Sequence, residues 1–319
     1  MPQKISEADA SYFLGFDGGG SKTECLLADA EGRVVARATA GPSNPLRTGY
    51  ARAWFALSEA GDKVLAAAKI HAGHIRAICA GLGGAGRPGV VRRVTPFLEG
   101  SYPNATVRVT TDLEIALEAA FGTGEGLILL AGTGSAAFGR VADGRTARAG
   151  GRGPWVSDEG SAFDIGRRAV RAVTLAEEHR GPATELSRRL FALHQCSGWD
   201  SLAEQIAKNP DDVFPRTFPL VAELADKGDA VCREIMTSAA TSLVELADTV
   251  AGELGRRDQD FGLAKVGGVY GRSKFYDAAI DAEVKQRLPR ARIVPLEASP
   301  AEAAVRMAMR LVSAKGNAA

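Results

Sequence analysis

Short apolar runs alternate with longer amphipathic stretches along this chain. Apolar side chains dominate residues 12–16, Thr23–Asp29 and Val34–Ala38, and each run ends at glycine or other turn residues. Runs of this length with these flanking residues predict buried strands. Residues 48–69 instead repeat apolar side chains at helical spacing, which predicts an amphipathic helix.

The order of elements restarts near residue 126. Further strands are predicted at Ile75–Ala80, Thr106–Val109, Gly126–Ala131, Ala136–Val141, Leu263–Val266 and Arg292–Val294, and further helices at 88–98, Leu113–Phe121, Lys274–Leu288 and Pro300–Val312. Both halves therefore begin with a strand, a glycine turn, a strand, a hairpin and a strand. Strands that alternate with helices predict an α/β protein with mostly parallel central sheets. The repeat predicts two such domains with a cleft between them.

The boundary between the two predicted domains lies near residue 120. The first is expected to span 1–118 and the second 119–298, with the helical block 159–256 as an elaboration of the second. The final helix, 299–313, could pack back on the first domain. A chain of 319 residues is long enough to bury two cores of this kind.

Charge and cysteine usage narrow the class of function. The 39 basic and 38 acidic residues give a net charge of +1, so no basic field predicts a nucleic-acid partner. The four cysteines are scattered without a CxxC pair, which argues against a disulfide framework and against a zinc or iron–sulfur site built by one chain. The sequence shows no leader pattern and no apolar run of about 18 residues. It therefore does not predict a membrane partner. We therefore expect a soluble, cytoplasmic protein.

The first glycine turn carries the strongest chemical signal. It reads Asp17, Gly18, Gly19, Gly20, Ser21, Lys22 and Thr23 and follows an apolar strand. Glycines let backbone N–H groups approach a phosphate, and a carboxylate can hold a metal ion over the same phosphates. The spacing misses the Walker A pattern, because Ser21 stands where that pattern requires lysine. The alternative is a tight hairpin with surplus glycine.

A second glycine turn occurs at the equivalent point of the second half. It reads Gly132, Thr133, Gly134 and Ser135 and follows the apolar run Leu127–Ala131. Alone, this turn fits an ordinary hairpin. Two such turns at equivalent points of a duplicated pattern predict a pair that holds the β- and γ-phosphates of a nucleotide from two sides.

Two further segments are candidates for substrate chemistry. Asp112 follows a predicted strand and starts a helix, so it could act as a general base at the carboxyl end of a parallel strand, as a helix cap, or as both. Residues 150–161 form a glycine-rich polar loop that suits a polyhydroxylated ligand. A surface loop that caps the following helix is the alternative for that segment.

The segment Gly81–Gly86 matches GxGxxG and leaves a dinucleotide-binding unit open. Its strand is not the first of its domain, however, and Glu99, the acidic residue near the required spacing, lies at a predicted helix end. A loop that lines the substrate cleft is the favoured interpretation. Gly267 and Gly268, which follow a later strand, could let an adenine ring lie against the backbone.

In their order along the chain, these segments resemble the N-acetylglucosamine kinase and glucosamine kinase group of the BadF/BadG/BcrA/BcrD ATPase family. The resemblance rests on the two glycine turns, Ser43-Asn44, Thr111-Asp112 and the loop 150–161, and it extends over residues 12–308. It implies two actin-like (ribonuclease H-like) domains, ATP and Mg²⁺ as cofactors, and a homodimer. The implied reaction is phosphorylation of an amino-sugar hydroxyl, with O6 as the expected position.

The resemblance also implies a role for each candidate residue. Asp17 is expected to bind Mg²⁺, and Asp112 to accept the proton of the attacking hydroxyl. The phosphates would be held by Gly18, Gly19, Gly20, Ser21, Lys22, Thr23, Gly132, Thr133, Gly134 and Ser135. The sugar would be held by Asn44, Gly150, Gly151 and Asp158 together with Asp112, and Gly267 and Gly268 would flank the adenine.

Three departures from the family pattern leave the acceptor open. Pro45 follows Asn44, Arg152 stands where mammalian-type enzymes carry an aromatic residue, and Pro154-Trp155 also differs locally. The last two resemble bacterial glucosamine kinases. Glucosamine, N-acetylglucosamine, N-acetylmuramic acid and related sugars all remain candidates. Two other functions also remain: an ATPase that drives electrons into a dehydratase through an iron–sulfur cluster at a dimer interface, and a non-catalytic sugar sensor.

Overall fold

The computed structural model describes residues 11–316 and divides into two compact units. One unit runs to Thr123 and resumes at Leu296, and the other is the continuous segment Gly124–Pro295. The sequence predicts these boundaries at residues 118 and 298. Residues 1–10 of the predicted first domain lie outside the described residues.

The first unit contains five strands and five helices in its described part. In chain order these are β1 (Tyr12–Gly18), β2 (Thr23–Ala28), β3 (Val34–Ala40), α1 (Pro45–Thr48), α2 (Tyr50–Ala68), β4 (Ile75–Leu82), α3 (Pro88–Ser101), β5 (Thr106–Thr111), α4 (Asp112–Phe121) and, after the second unit, α11 (Pro300–Gly316). A short 3₁₀ turn at Ala72–His74 precedes β4.

The second unit repeats the strand pattern and adds a block of helices. Its elements are β6 (Gly126–Ala131), β7 (Ser135–Arg140), β8 (Thr146–Gly150), α5 (Ala162–Glu177), α6 (Glu185–Leu193), α7 (Trp199–Lys208), α8 (Pro210–Lys227), α9 (Ala230–Glu253), β9 (Phe261–Val266), α10 (Lys274–Arg287) and β10 (Ala291–Val294). The predicted helical region 159–256 is thus five separate helices.

The two sheets have the same topology. The first has the order β3-β2-β1-β4-β5, and the second, read in the same direction, β8-β7-β6-β9-β10. In each sheet the first three strands of the unit pair antiparallel and the last two join in parallel. The α/β class and the duplicated core are confirmed. The prediction of mostly parallel sheets is wrong, because each sheet is half an antiparallel meander whose strands are joined by short turns.

Parallel pairing brings three strand ends of the first unit to one edge. Asp17 of β1 pairs with Gly81 of β4, and Gly81 pairs with Thr110 of β5. Because parallel strands end on the same side, the residues that follow β1, β4 and β5 lie together there. The second sheet repeats this arrangement at the ends of β6 and β9.

The helix α11 closes one face of the first sheet. Its small residues Ala301, Ala304 and Ala308 are fully buried against β1 and β4. A Cβ atom at Gly15 would lie 2.4 Å from the Ala301 carbonyl oxygen, so helix and strand are in backbone contact. The opposite face is covered by α2 and α3 through a core that includes Phe16, Leu57, Val64, Ile78 and Leu98.

The second unit has one continuous core. The long helix α9 packs on β6, β7 and β8, and α5 packs on α8 beside it. Between residues 11 and 316, no helix has both the length and the apolar character needed to cross a bilayer.

Candidate active site

Asp17 lies at the end of β1 among other carboxylates. It pairs with Glu24 on the antiparallel neighbour β2 and with Gly81 on the parallel neighbour β4. Burial, together with the nearby charges of Asp112 and Glu24, raises the pKa of Asp17 to about 7. A partly buried carboxylate next to other carboxylates is stabilised in its ionised form by a cation, so this end of β1 favours a positively charged ligand.

The first glycine turn is a tight hairpin between β1 and β2. The Gly19 N–H donates to the Lys22 carbonyl at 2.9 Å, and the Gly19 carbonyl accepts from the N–H groups of Ser43 and Asn44. Ser21 and Lys22 are exposed at its tip. The hairpin therefore holds the loop that carries Asn44.

Members of this turn have different local roles. A Cβ atom at Gly18 would lie 2.1 Å from Ser43 Oγ, so Gly18 is required for packing, whereas a Cβ atom at Gly19 would make only an ordinary contact with the Lys22 carbonyl oxygen at 3.8 Å. The Thr23 hydroxyl donates to the Gly41 carbonyl at 2.7 Å, so this side chain is used within the fold. Sequence reasoning had grouped all these residues as phosphate ligands.

Asn44 and Asp112 converge on Gly83. A Cβ atom at Gly83 would lie 3.0 Å from Asn44 Nδ2 and 3.5 Å from Asp112 Oδ2. The Asn44 Oδ1 accepts from the Leu46 N–H at 3.0 Å, which orients the amide with its NH₂ group towards Gly83. The Asn44 amide is a hydrogen-bond donor and the Asp112 carboxylate is an acceptor. Because both lie beside Gly83, together they are suited to hold a hydroxylated ligand.

Asp112 begins helix α4 directly after β5. The Thr111 hydroxyl caps the helix by accepting from the Glu114 N–H at 3.1 Å, and Asp112 Oδ1 accepts from the Leu113 N–H at 3.0 Å. The segment thus caps helix α4 and also places the Asp112 carboxylate at the end of β5. Both positions were expected from the sequence, and the role of Asp112 as a general base stays a prediction. Asp17 and Asp112 follow strands two positions apart, roughly 10 Å across the sheet.

The second glycine turn holds Asp158. A Cβ atom at Gly134 would lie 2.7 Å from Asp158 Oδ2, and the Ser135 N–H donates to Asp158 Oδ1 at 3.5 Å. Asp158 is 5% exposed and has a left-handed backbone. The Ser135 hydroxyl donates to the Glu159 carbonyl at 2.6 Å. The turn and the loop 150–161 therefore form one structure.

Gly150 and Gly151 lie on the same side of this second turn. Gly150 pairs with Ala136, and a Cβ atom there would lie 3.2 Å from the Ser135 carbonyl oxygen. The Gly151 carbonyl accepts from the Arg148 guanidinium at 2.7 Å. Of the three sugar-binding candidates of the second unit, Gly150 and Asp158 thus adjoin Ser135, and Gly151 adjoins Ala136.

Gly267 packs against the strand that leads into the second turn. Its φ is +118°, and a Cβ atom would lie 2.3 Å from the Ala131 carbonyl oxygen, so only glycine fits. Gly268, beside it, faces open space. The two candidate regions, 132–135 and 267–268, follow the neighbouring parallel strands β6 and β9.

The residues present fit a magnesium ion that takes few protein ligands. Within residues 11–316, no three His, Cys, Asp or Glu side chains are grouped to hold a metal ion. Mg²⁺ usually keeps several waters and binds one or two carboxylates together with substrate phosphates. The partly buried Asp17, whose pKa is raised, is suited to be that carboxylate.

Sequence reasoning missed several residues at these sites. Gly83 was considered only within the GxGxxG segment, whose favoured interpretation was a loop that lines the substrate cleft, and Glu24, Leu46 and Arg47 were not considered. The Arg47 guanidinium lies 2.9 Å from the position of a Cβ atom at Gly20, which adds positive charge beside the first turn. In the sequence, the signal for Arg47 was its position three residues after the candidate Asn44.

The cysteines lie mainly in the interior. Cys25, Cys79 and Cys232 are buried, and Cys196 is partly exposed. Burial raises the pKa of the Cys79 thiol to about 12, so this group stays a neutral thiol.

Known proteins with similar sequences cover nearly the whole chain. The N-acetylmuramic acid/N-acetylglucosamine kinase of Clostridium acetobutylicum is 27% identical over 92% of this chain and 97% of its own length. The N-acetyl-D-glucosamine kinase of Dictyostelium discoideum is 28% identical over 93% of this chain and 97% of its own.

Solved structures show the same fold. A putative N-acetylglucosamine kinase from Chromobacterium violaceum superposes with a TM-score of 0.78 at 24% identity, over 93% of this chain and 98% of that one. The model of the BadF/BadG/BcrA/BcrD ATPase family matches residues 14–305. The resemblance drawn from the motifs is confirmed, and the chain belongs to the BadF/BadG/BcrA/BcrD ATPase family.

Proposed function

We propose that this protein is an ATP-dependent kinase that phosphorylates a hydroxyl group of an amino sugar, with O6 as the acceptor atom. The observation that carries the proposal is the convergence of Asn44 Nδ2 and Asp112 Oδ2 on Gly83. A proton acceptor and a hydrogen-bond donor there can hold a sugar hydroxyl for attack. The names of the relatives, which cover nearly all of this chain, support the same reaction class.

Asp112 is the proposed general base. Its Oδ1 is held by the Leu113 N–H, while Oδ2 lies towards Gly83. In the proposed step the sugar oxygen forms a bond to the γ-phosphorus, the bond from that phosphorus to the β,γ-bridging oxygen breaks, and the hydroxyl proton passes to Asp112 Oδ2. Phosphoryl transfer depends mainly on positioning and charge neutralisation, and a positioned base adds about 10²–10⁴ in rate.

Asp17 and the two glycine turns are the proposed nucleotide site. Mg²⁺, when bound, would neutralise charge on the phosphates, and Asp17 is the residue proposed to hold it. The open position at Gly132 and the uncrowded one at Gly19 would let backbone approach phosphate oxygens. Gly268, which faces open space after β9, is proposed to lie against the adenine.

The sugar contacts Asn44, Gly150, Gly151 and Asp158 in this proposal. A homodimer, a cytoplasmic location and the lack of a nucleic-acid partner remain predictions from the resemblance and the composition. The dehydratase-activator alternative would need cysteines at a dimer surface, and three of the four are buried.

A coupled ADP-release assay over a panel of hexoses and amino sugars tests the function. Wild-type protein should release ADP with at least one amino sugar and form the sugar phosphate. Asp112→Asn should keep its ATP affinity within about twofold and lose about 10²–10⁴ in turnover. Asp62→Asn, an exposed acid on α2, is the matched control and should retain turnover.

Two outcomes would contradict the proposal. ADP release that no hexose stimulates would remove the kinase assignment. Near-normal turnover of Asp112→Asn with a confirmed sugar substrate would remove Asp112 from the role of base. A protein that purifies with iron and a visible absorption band would instead support the dehydratase-activator alternative.

A further inference from the structure

Leu46 is an exposed apolar side chain beside the candidate sugar residues. It is 44% exposed and lies two residues after Asn44 in the short helix α1. A Cβ atom at Gly84 would lie 2.8 Å from Leu46 Cδ1 and 3.0 Å from Asn44 Oδ1. Leu46 and Asn44 therefore both contact the surface of Gly84.

Three side chains form a row over Gly83 and Gly84. Asp112 and Asn44 meet at Gly83, and Asn44 and Leu46 meet at Gly84. The row spans two consecutive backbone positions, Gly83 and Gly84, whose Cα atoms are about 3.8 Å apart. Its order is a carboxylate, an amide and an isobutyl group.

This order matches the substituents around an N-acylated hexosamine. From C6 to C2 the sugar presents a primary hydroxyl, then ring hydroxyls, then the nitrogen substituent. A sugar placed with O6 at Asp112 and a ring hydroxyl at Asn44 would direct its nitrogen substituent towards Leu46. An acyl methyl group would be buried there, whereas a free ammonium group would be desolvated against leucine at a cost.

We infer that Leu46 contacts the N-acyl group and selects N-acylated hexosamines over free amino sugars, an inference that rests on the proposed kinase function. A single exposed leucine is common on protein surfaces and needs no ligand. Leu46 differs because it adjoins both Asn44 and the backbone of Gly84, next to a carboxylate suited to proton transfer. The acceptor, open on the sequence alone, becomes an N-acyl sugar.

The test compares kcat/KM for N-acetylglucosamine, N-butyrylglucosamine, glucosamine and glucose in wild type and Leu46→Ala. Burying one methyl or methylene group is worth about fourfold in binding, so Leu46→Ala should lower kcat/KM for the N-acyl sugars by about 4–10-fold. Values for glucosamine and glucose should change less than twofold. Val35→Ala, at an equally exposed valine of β3, is the matched control and should leave all four values unchanged.

Three results would overturn the inference. Leu46→Ala could lower kcat/KM equally for all four sugars, which would indicate a structural role. It could change none of them, which would place Leu46 outside the sugar site. Wild type could also prefer glucosamine to N-acetylglucosamine, which would leave the kinase function intact and remove the N-acyl selectivity.

Calorimetry separates this inference from the proposed function. If wild type phosphorylates no hexose, titration of N-acetylglucosamine into the protein still measures binding. Binding that Leu46→Ala weakens about 4–10-fold would then support the contact, although the kinase assignment had failed. No detectable binding of N-acetylglucosamine would overturn both.

Discussion

At the residue scale, the glycines in and near the two turns differ in which atoms occupy the space that a side chain would fill. Gly18 makes room for Ser43, Gly134 for Asp158 and Gly83 for Asn44 and Asp112, whereas Gly132 faces open space. A glycine run in the sequence does not distinguish these cases, because the neighbours come from distant parts of the chain. Substitution by alanine does distinguish them.

We predict different results for Gly134→Ala and Gly132→Ala. A methyl group at Gly134 would displace the buried Asp158 carboxylate, 2.7 Å away, so stability should fall by about 1–3 kcal/mol and turnover should fall as well. A methyl group at Gly132 meets nothing, so stability should change by less than about 0.5 kcal/mol while ATP affinity falls if phosphate lies there.

Thermal unfolding and nucleotide titration measure the two effects. Unchanged ATP affinity in a stable Gly132→Ala variant would contradict the assignment of the second turn to phosphate. An equally stable Gly134→Ala variant would contradict the packing of Asp158 against it.

At the element scale, the contact between β1 and α11 depends on Gly15. A Cβ atom there would lie 2.4 Å from the Ala301 carbonyl oxygen and 2.6 Å from the Val305 nitrogen, and backbone atoms cannot move aside as a side-chain tip can. We therefore expect Gly15→Ala to destabilise the first unit by about 3 kcal/mol. The same strand ends at Asp17, so turnover should fall with stability.

Gly100→Ala in α3 is the matched control for Gly15→Ala. Nothing lies within 4 Å of a Cβ atom at Gly100, and alanine is the better helix former by up to about 1 kcal/mol. Chemical denaturation should thus give changes of opposite sign for the two variants. Equal stability of Gly15→Ala and wild type would show that α11 does not approach β1 this closely.

At the scale of the whole molecule, the two units differ in how the chain builds them. The second unit is one continuous segment with its own core, whereas the first needs α11 from the C-terminal end. Without α11, Phe13, Leu26 and Cys79 on one face of the first sheet would be exposed to water, together with Ile115 of α4. The free energy lost when this apolar surface is exposed exceeds the free energy of unfolding of most domains.

We predict that a chain ending at residue 295 loses the fold of its first unit. The segment 124–295 expressed alone should instead unfold cooperatively on heating. Circular dichroism and limited proteolysis measure the folding of both shortened chains. A chain shortened only by residues 317–319 is the control. A chain ending at 295 that unfolds like wild type would show that α11 is dispensable.

The sequence by itself determined the elements and the candidate chemistry. Apolar periodicity and turn residues are local properties, so strands such as β1 and β6 and helices such as α4 could be predicted within a few residues. The duplicated order of strands and glycine turns also predicted two similar units. The position of Asp112 between a strand and a helix was enough to make it a candidate base.

Only the tertiary structure decided which candidates share space. It joined Asp112 to Asn44 through Gly83, bound Asp158 to the second turn, and used the Thr23 hydroxyl within the fold. It also showed that each sheet is mixed and that Leu46 adjoins Asn44 at Gly84. The physical reason is that these contacts join residues far apart along the chain, and their distances depend on how whole strands and helices pack.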